Sequence, residues 1–159
     1  TLLAIMQAAK KADDSLLRDY AETTVAVADI KIAVRSMKTG KNKDFMKRAM
    51  AECNTLDIDR LATAAVAGME EIERYLADTA YAGGAEALSE SASAFERWCD
   101  NRIIETIKPQ KYNPFTVGPI VAYILARLNE IKTVRIILTC KLNQLPEEAI
   151  RERVREMYV

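Results

Sequence analysis

The chain of 159 residues contains no histidine, and this absence removes several kinds of reaction centre. Serine–histidine and cysteine–histidine nucleophiles, histidine acid–base catalysis, and the usual histidine-containing zinc and di-iron sites are all excluded. The Gly-Lys-Asn turn at residues 40–42 lacks the first glycine and the hydroxyl residue of a phosphate-binding loop. The clustered acids Glu70, Glu71 and Glu73 are typical of a solvated helix face. We therefore expect no catalytic residue, no metal and no cofactor.

Glycine and proline are scarce, with five and four residues respectively, and no segment shows the alternating pattern of a strand. Half of the residues are hydrophobic, which favours a buried core over disorder. Because alanine, leucine, isoleucine, glutamate, arginine and lysine dominate the sequence, the composition favours helices throughout. We predict an all-α protein.

The net charge is zero but is unevenly distributed. Residues 1–48 carry a net charge of +4, residues 49–100 carry −8, and residues 101–159 carry +4. Nucleic-acid binding requires a concentrated basic face, so this distribution argues against it. Two interpretations stay open: solvated helix faces, or electrostatic complementarity with charged partners.

Three cysteines (Cys53, Cys99 and Cys140) lie far apart without a CxxC pair. They indicate reduced intracellular thiols, and Cys99 and Cys140 fall in apolar helix patterns that predict core positions. The longest uncharged run, residues 112–126, contains two prolines and is shorter than the ~20 residues of a spanning helix. No membrane span is therefore expected. The chain starts at Thr1, already in a helical pattern, which suggests a fragment of a longer protein.

Apolar positions at three- and four-residue steps predict helices over residues 2–11, 15–39, 44–52, 58–76, 85–107, 119–142, and from Pro146 onward. Asp13, Asp14 or Ser15 is expected to cap the second helix, and Gly40 to terminate it. Gly68 predicts a bend or a break in the fourth helix, and residues 81–84 are predicted to form a loop. Glu147 and Arg151 form a predicted i,i+4 ion pair.

The same periodicity predicts which helix faces point inward. In the second helix these are Leu17, Tyr20, Val27, Ile30, Val34 and Met37; in the third, Phe45, Met46 and Ala49; in the fourth, Ile58, Leu61, Ala65, Met69, Ile72 and Leu76. In the fifth they are Leu88, Ala92, Phe95, Cys99, Ile103 and Ile107; in the sixth, Ile120, Ile124, Leu128, Ile131, Val134 and Leu138; in the last, Ile150, Val154 and Met157.

One pattern occurs twice. Asp29-Ile30-Lys31 lies in a long helix that leads through a basic turn to a short helix, and Glu130-Ile131-Lys132 lies 101 positions later in a similar setting. Such self-similarity indicates stacked helical units, which usually present a shaped surface to partners. The boundary between the units is predicted at residues 53–56, so the units cover residues 1–53 and 54–159.

Residues 115–127, 129–138, 141–143 and 145–148 closely resemble the C-terminal end of the C-subunit family of V-type (A/V-type) ATPases, whose eukaryotic member is the d subunit. The ending at residues 150–158 is also similar, and Asp100-Asn101 lies where that family has an acidic-Asn pair. The resemblance is dense over residues 115–159 and collinear from residue 15 onward. Leu128 and Thr139-Cys140 depart from the family pattern.

The resemblance implies a three-fold pseudo-repeated helical funnel, of which residues 1–53 are the end of the second repeat and residues 54–159 the third. In that family the funnel is a non-catalytic part of the rotor. It lies on the cytoplasmic side, links the shaft subunits D and F to the membrane proteolipid ring, and transmits torque for ion transport coupled to ATP hydrolysis or synthesis. It binds no nucleotide and carries no proton.

The candidate partner-binding residues are the basic residues near the two turns: Lys38, Lys41, Lys43, Lys141 and Arg151. The alternative is that they only keep the turns soluble. A generic helical interaction scaffold stays open as a second function. An enzyme would require a buried carboxylate in a cleft, for which Asp29 and Glu130 are the first residues to inspect. Exposed apolar surface of a fragment also predicts a non-physiological dimer.

Overall fold

A computed structural model describes residues 1–12, 14–112 and 114–158, and these residues form nine α-helices, one short 3₁₀ segment and no strand. The prediction of an all-α fold is confirmed. The helices are α1 (Leu2–Lys11), α2 (Ser15–Lys38), α3 (Lys43–Ala49), α4 (Ile58–Ala67), α5 (Met69–Ala77), α6 (Ala82–Glu90), α7 (Ala92–Ile107), α8 (Gly118–Leu142) and α9 (Glu147–Arg153), with the 3₁₀ segment at Lys108–Tyr112.

The chain divides into two compact units, residues 1–89 and 90–159. These units are defined by contacts within the fold. The boundary predicted near residue 53 separates two sequence repeats, which is a different property. The assignment of residues 1–53 and 54–159 to successive repeats therefore stays a prediction. We call the two compact units unit 1 and unit 2 and describe each by itself.

Unit 1 is built around α2, which packs against α1, α3, α4 and α5. Val25, Ala26, Ile30 and Ala33 of α2 are completely buried, and fully burying a side chain the size of Ile or Val stabilises a fold by about 1.5–3 kcal/mol. Asp14 caps the start of this helix, since its carboxylate accepts the N–H of Leu17 at 3.1 Å. Of the three capping residues expected, Asp13 lies outside the described residues. The long central helix is therefore held on several sides at once.

Two interruptions divide long apolar patterns into shorter helices. Gly68 separates α4 from α5 with φ 140°, a conformation that favours glycine, as predicted. A second break was not predicted: Ser91 is extended and separates α6 from α7, with its Oγ accepting the N–H of Ala94 at 2.9 Å.

The expected loop at residues 81–84 is wrong for its last three residues, which start α6. Buried Tyr81, hydrogen-bonded to Thr55 at 2.8 Å, anchors the chain just before that helix.

In unit 2, α8 packs against α7, α9 and the 3₁₀ segment. Its buried side chains are small or polar: Gly118, Ala122, Ala126, Asn129, Thr133 and Cys140. The predicted inward stripe of α8 is therefore wrong, because Ile120, Ile124, Leu128, Ile131, Val134 and Leu138 are all exposed. The physical reason is close approach and hydrogen bonding. Small residues allow neighbouring backbone to lie near α8, and Asn129 donates its amide to the carbonyl of Glu156 at 2.8 Å.

Four other residues predicted to face inward are exposed: Phe45, Ala49, Ala92 and Met157. Phe45 and Ala49 are exposed because α3 has only two turns and buries Met46 alone. Ala92 lies at the start of α7 beside the Ser91 break, and Met157 lies beyond the end of α9, outside any helix. The core positions predicted for Cys99 and Cys140 are confirmed, since both thiols are buried.

Candidate partner-binding surfaces

The turn after α2 is fixed by two backbone hydrogen bonds. Lys41 donates its N–H to the carbonyl of Ser36 at 2.9 Å, and Gly40 donates to Met37 at 3.2 Å. This pair of bonds around a left-handed residue, here Gly40 with φ 64°, is a Schellman motif. The expectation that Gly40 terminates α2 is confirmed.

The turn after α8 has the same architecture. Leu145 donates its N–H to Cys140 at 3.0 Å, and Gln144 donates to Lys141 at 3.0 Å. Gln144 takes the left-handed position with φ 55° although it carries a side chain. In both units a four-residue link leads to a seven-residue helix, α3 or α9, and then to an extended residue, Met50 or Val154.

These equivalent turns lie 104 positions apart, whereas the acid-Ile-Lys motifs lie 101 apart. The two motif copies therefore sit in different environments: Ile30 is completely buried and Ile131 is exposed. The asparagines of the turns also differ in role. Asn42 accepts the N–H of Phe45 and caps α3, while Asn143 donates its amide back to Thr139 at the end of α8. An alignment of the two units on their acid-Ile-Lys motifs therefore differs by three residues, close to one helical turn, from an alignment on their equivalent turns.

The basic residues of the first turn have identifiable contacts. The Lys43 ammonium donates to the hydroxyl of Thr63 at 2.8 Å and lies 3.6 Å from the carboxylate of Asp59. Lys41 lies over the ring of Phe45, 5.5 Å from its centroid, which is a cation–π distance. Lys38 is exposed in the last turn of α2. Thus Lys41 and Lys43 also serve local structure.

The basic residues of the second turn are both exposed. Arg151 pairs with Glu147 on α9, which confirms the predicted i,i+4 pair, but both side chains are 76% exposed. Such a pair contributes only about 0.3–0.5 kcal/mol. Lys141 is exposed in the last turn of α8. The five candidate residues are divided between the units, three in unit 1 and two in unit 2, and their role in partner binding stays a prediction.

Asp29 is a buried carboxylate. Its Oδ1 accepts the N–H of Ala51 at 3.2 Å, while its Oδ2 has no hydrogen-bond partner among the described residues. Burial raises the pKa of Asp29 to about 7, and the hydrogen bond from Ala51 opposes this rise. Glu130, the other carboxylate singled out from the sequence, instead forms an ion pair with Arg127 on its own helix.

A cleft of about 480 Å³ in unit 1 is lined by other residues, among them Arg60 and Tyr75, whose side chains stack at 5.2 Å. Among the described residues, three cationic and three carboxylate side chains line this cleft. Their charges balance, so the cleft does not favour either an anionic or a cationic ligand. Within the described part of the chain, no group of histidine, cysteine or acidic residues has the arrangement of a metal site.

In unit 2, a set of polar contacts, here called the polar clamp, holds the non-helical segment that follows α9, residues 154–158. The buried Asp100 of α7 pairs with Arg155 of this segment at 2.7 Å and with Lys132 of α8 at 2.6 Å. Asn101 accepts the N–H of Glu156 at 2.8 Å, and Asn129 donates to its carbonyl. The segment is therefore bound to both α7 and α8.

The sequence identified Asp100 and Asn101 only through the family resemblance, without a role. The signal that was missed is the pairing of this acid-Asn dipeptide with the Arg-Glu dipeptide at residues 155–156. Each side chain of the first dipeptide meets a complementary donor 55 positions away.

One face of α8 in unit 2 is apolar and exposed. Ile120, Ile124, Leu128, Ile131, Val134, Leu138 and Leu142 are between 46% and 83% exposed. Monomeric proteins rarely expose contiguous apolar patches larger than a few hundred Å² without a function. The face is therefore a candidate surface for protein contacts. No helix among the described residues is long and apolar enough to cross a membrane.

Two comparisons with known proteins found similar sequences. A family model described as ATP synthase (C/AC39) subunit matches residues 1–153. The chain is 27% identical over 148 residues to the C subunit of the A-type ATP synthase of Methanocaldococcus jannaschii, covering 87% of this chain and 37% of that protein. The chain thus spans little more than a third of the relative's length. No solved structure matches the chain.

Proposed function

Because this chain belongs to the ATP synthase (C/AC39) subunit family, we propose that it is part of a non-catalytic rotor subunit in the central stalk of an A/V-type ATPase. In this role it links the shaft subunits D and F to the membrane proteolipid ring on the cytoplasmic side and transmits torque between them. Ion transport is thereby coupled to ATP hydrolysis or synthesis, which takes place in other subunits. The family match over residues 1–153 is the observation that carries the proposal.

Mechanical stiffness supports this assignment. In unit 1 the 24-residue helix α2 is surrounded by four helices, and its central side chains are completely buried. Close-packed interiors have low compressibility and therefore transmit strain rather than absorb it. In unit 2 the clamp on Arg155 and Glu156 ties the segment after α9 to α7 and α8. Both features suit a part that passes force between neighbours.

We further propose that the basic turns contact charged partners. Lys38 and Lys141 are the best candidates because both are exposed at the end of a long helix. Exposed charges at an interface contribute more to orientation and association rate than to affinity. Lys41, Lys43 and Arg151 have local partners as well, so their contribution to binding is expected to be smaller.

The test uses the full-length subunit that contains this segment, together with purified shaft and proteolipid ring. Lys38→Glu and Lys141→Glu are expected to slow association with the shaft or the ring on the order of tenfold at low ionic strength. Lys10→Glu and Lys11→Glu are matched controls, because these exposed lysines also lie in the last turn of a helix, α1. Equal association of all four variants would remove the basic turns from the interface.

A generic helical scaffold is the alternative function, and a second measurement separates it from the rotor subunit. Native membranes are solubilised, the tagged subunit is isolated, and its companions are identified by mass spectrometry. A rotor subunit is recovered with ATPase subunits. Recovery without any of them would refute the rotor assignment, whatever the charge variants show.

A further inference from the structure

The carboxylate of Asp29 is enclosed by unit 1 itself. Asp29 lies in the middle of α2 and is completely buried. Val25, one turn earlier on the same face of α2, belongs to an apolar cluster that includes Ala51. The Oδ1 atom of Asp29 accepts the N–H of Ala51, while its Oδ2 atom has no hydrogen-bond partner among the described residues. An ionised carboxylate in such surroundings is unfavourable unless a cation or water compensates it.

The helices around α2 do not bury a cation beside this carboxylate. Among the described residues of unit 1, the buried polar residues are Thr23, Asp29 and Ser36, all on α2. The buried residues of the four helices that pack against α2 are all apolar: Met6, Ala9, Met46, Leu61, Ala62, Ala65, Ile72 and Leu76. The interior around Asp29 is therefore nonpolar.

The charged side chains of α2 and of the elements packed against it are exposed or half-buried. They are Arg18, Asp19, Glu22, Lys31, Arg35 and Lys38 of α2, Lys10 and Lys11 of α1, Lys43, Asp44, Lys47 and Arg48 of α3, Glu52 and Asp57 of the connecting segment, Asp59 and Arg60 of α4, and Glu70, Glu71, Glu73 and Arg74 of α5.

The half-buried thiol of Cys53 is a titratable group that responds to the charge of Asp29. Burial is the main cause that raises the pKa of Cys53, and the charges of Glu22 and Asp29 add to it. Cys53 and Glu22 are neutral or negative, so neither stabilises an ionised Asp29. Burial raises the pKa of Asp29 to about 7, against the hydrogen bond from Ala51, so this carboxyl releases its proton in the neutral range.

The segment after α3 lies against Asp29 and is held by few contacts. Residues 50–53 form no helix, and Ala51 is bonded to Asp29 directly. The preceding helix α3 has seven residues and buries Met46 alone. The described ion pairs between α3 and Asp59 of α4 are exposed and contribute little. Because α2 packs against four helices, displacing the segment admits water to Asp29 at a lower cost than separating α2 from its neighbours.

We propose that Asp29 is a proton-operated latch for residues 43–53. In its neutral form the carboxyl holds the segment after α3 against α2 through the N–H of Ala51. When the proton is lost to solvent, this segment and α3 open locally and water reaches the charged carboxylate, while α2 and its other neighbours stay packed. The latch belongs to unit 1 alone and does not require the rotor assignment.

Unit 2 contains a paired counterpart of this anchor. Asp100 is also buried, but Arg155 and Lys132 lie 2.7 and 2.6 Å from its two carboxylate oxygens. Arg155 belongs to the segment that follows α9, so Asp100 holds that segment as Asp29 holds residues 50–53. Because two cations balance the charge of ionised Asp100, its anchor is not expected to loosen as the pH rises. Residues 154–158 are therefore an internal control.

The test measures hydrogen exchange by mass spectrometry at pH 6 and pH 8 in the full-length subunit that contains this chain. Each rate is corrected for the intrinsic pH dependence of amide exchange. A pKa of about 7 for Asp29 in the closed state, against 3.8 for a hydrated carboxyl in the open state, raises the opening equilibrium about tenfold between these two pH values. The protection of residues 43–53 is therefore expected to fall about tenfold, while that of residues 154–158 stays constant.

Two variants show whether Asp29 is responsible. Asp29→Asn keeps an oxygen that accepts the N–H of Ala51 but does not ionise, so the protection of residues 43–53 should be equal at both pH values. Asp19→Asn is the matched control, since it removes an exposed acid from the same helix and should behave as the wild type. Circular dichroism checks that both variants fold; if Asp29→Asn does not, residues 43–53 and 154–158 of the wild type still decide the question.

Four results would overturn the latch. The first is equal protection of residues 43–53 at pH 6 and pH 8 in the wild type, and the second is the same fall in protection in Asp29→Asn. The third is an equal fall at residues 154–158, which would indicate a general effect of pH. The fourth is a fall that extends through α2, which would indicate unfolding of unit 1 as a whole.

Discussion

Replacing Asp29 by asparagine is expected to remove a pH dependence of the stability of unit 1. The carboxylate is completely buried, and one of its oxygens has no hydrogen-bond partner among the described residues. Asparagine keeps the shape and an oxygen that accepts the N–H of Ala51, but it carries no charge at any pH. The difference between the two proteins therefore isolates the free energy of ionising this group inside the fold.

The sign follows from the direction of the pKa shift. The pKa of Asp29 rises from 3.8 to about 7 in the folded protein, so the folded state holds this proton more tightly than the unfolded state. The stability contributed by the neutral carboxyl is complete below about pH 4 and decreases as pH rises, until it levels off above pH 7. At about 1.4 kcal/mol for each pKa unit, the loss across this window is at most about 4 kcal/mol.

The measurement is urea unfolding of the wild type and Asp29→Asn, followed by circular dichroism at several values between about pH 4 and pH 8. The difference in the free energy of unfolding should shift in favour of the variant as pH rises. Asp29→Ala is the control: it leaves the N–H of Ala51 unpaired, which lowers stability by about 1–3 kcal/mol relative to Asp29→Asn at every pH. If the difference between the wild type and Asp29→Asn stays constant over this range, the reasoning about burial is refuted.

Three further tests probe the turns and the clamp by the same unfolding measurement. Asp100→Ala leaves the buried Arg155 without its carboxylate and should lower the free energy of unfolding by about 3–5 kcal/mol. Arg151→Ala breaks an exposed ion pair and should change the free energy of unfolding by less than about 1 kcal/mol. Similar losses of stability in these two variants would contradict the assignment of the clamp. Gln144→Gly should stabilise the chain by about 1 kcal/mol, because Gln144 has a left-handed backbone. Gly40→Ala should destabilise it by a similar amount, since open space surrounds Gly40 and only its φ opposes a side chain; unchanged stability in both would contradict the two Schellman turns.

Much of the fold follows from local sequence signals. Apolar periodicity predicts α1, α2 and α8 to within one or two residues, and Gly40 and Gly68 mark a helix end and a helix break because both have a positive φ that other residues rarely adopt. The break at Ser91 has only a weak local signal, a serine that can cap the following helix and does so by accepting the N–H of Ala94. The Ser91 hydroxyl also donates a hydrogen bond to Glu152, 61 positions away, at 2.8 Å. This second contact is tertiary and is invisible to local patterns.

The candidate surface on α8 shows a different limit of prediction from sequence. Periodicity correctly identifies Ile120, Ile124 and Ile131 as one face of a helix, but it does not say whether that face meets this chain or another one. The packed face includes Asn129, which donates to the carbonyl of Glu156, and Thr133, which donates to the carbonyl of Asn129 within α8. Polar residues of this kind are assigned to solvent by any hydropathy argument.

The segments that follow α3 and α9 are each held by a buried aspartate. In both units the residue at the equivalent position, Ala51 or Arg155, is bound by a buried aspartate of a long helix. In unit 1 a backbone N–H binds the Asp29 carboxylate, whose other oxygen has no hydrogen-bond partner among the described residues, while unit 2 supplies two cations to Asp100. The short helix, α3 or α9, lies between the turn and this anchor, and we therefore expect each anchor to restrain the short helix. Loosening either anchor should therefore increase hydrogen exchange in α3 or α9 before it affects the long helices.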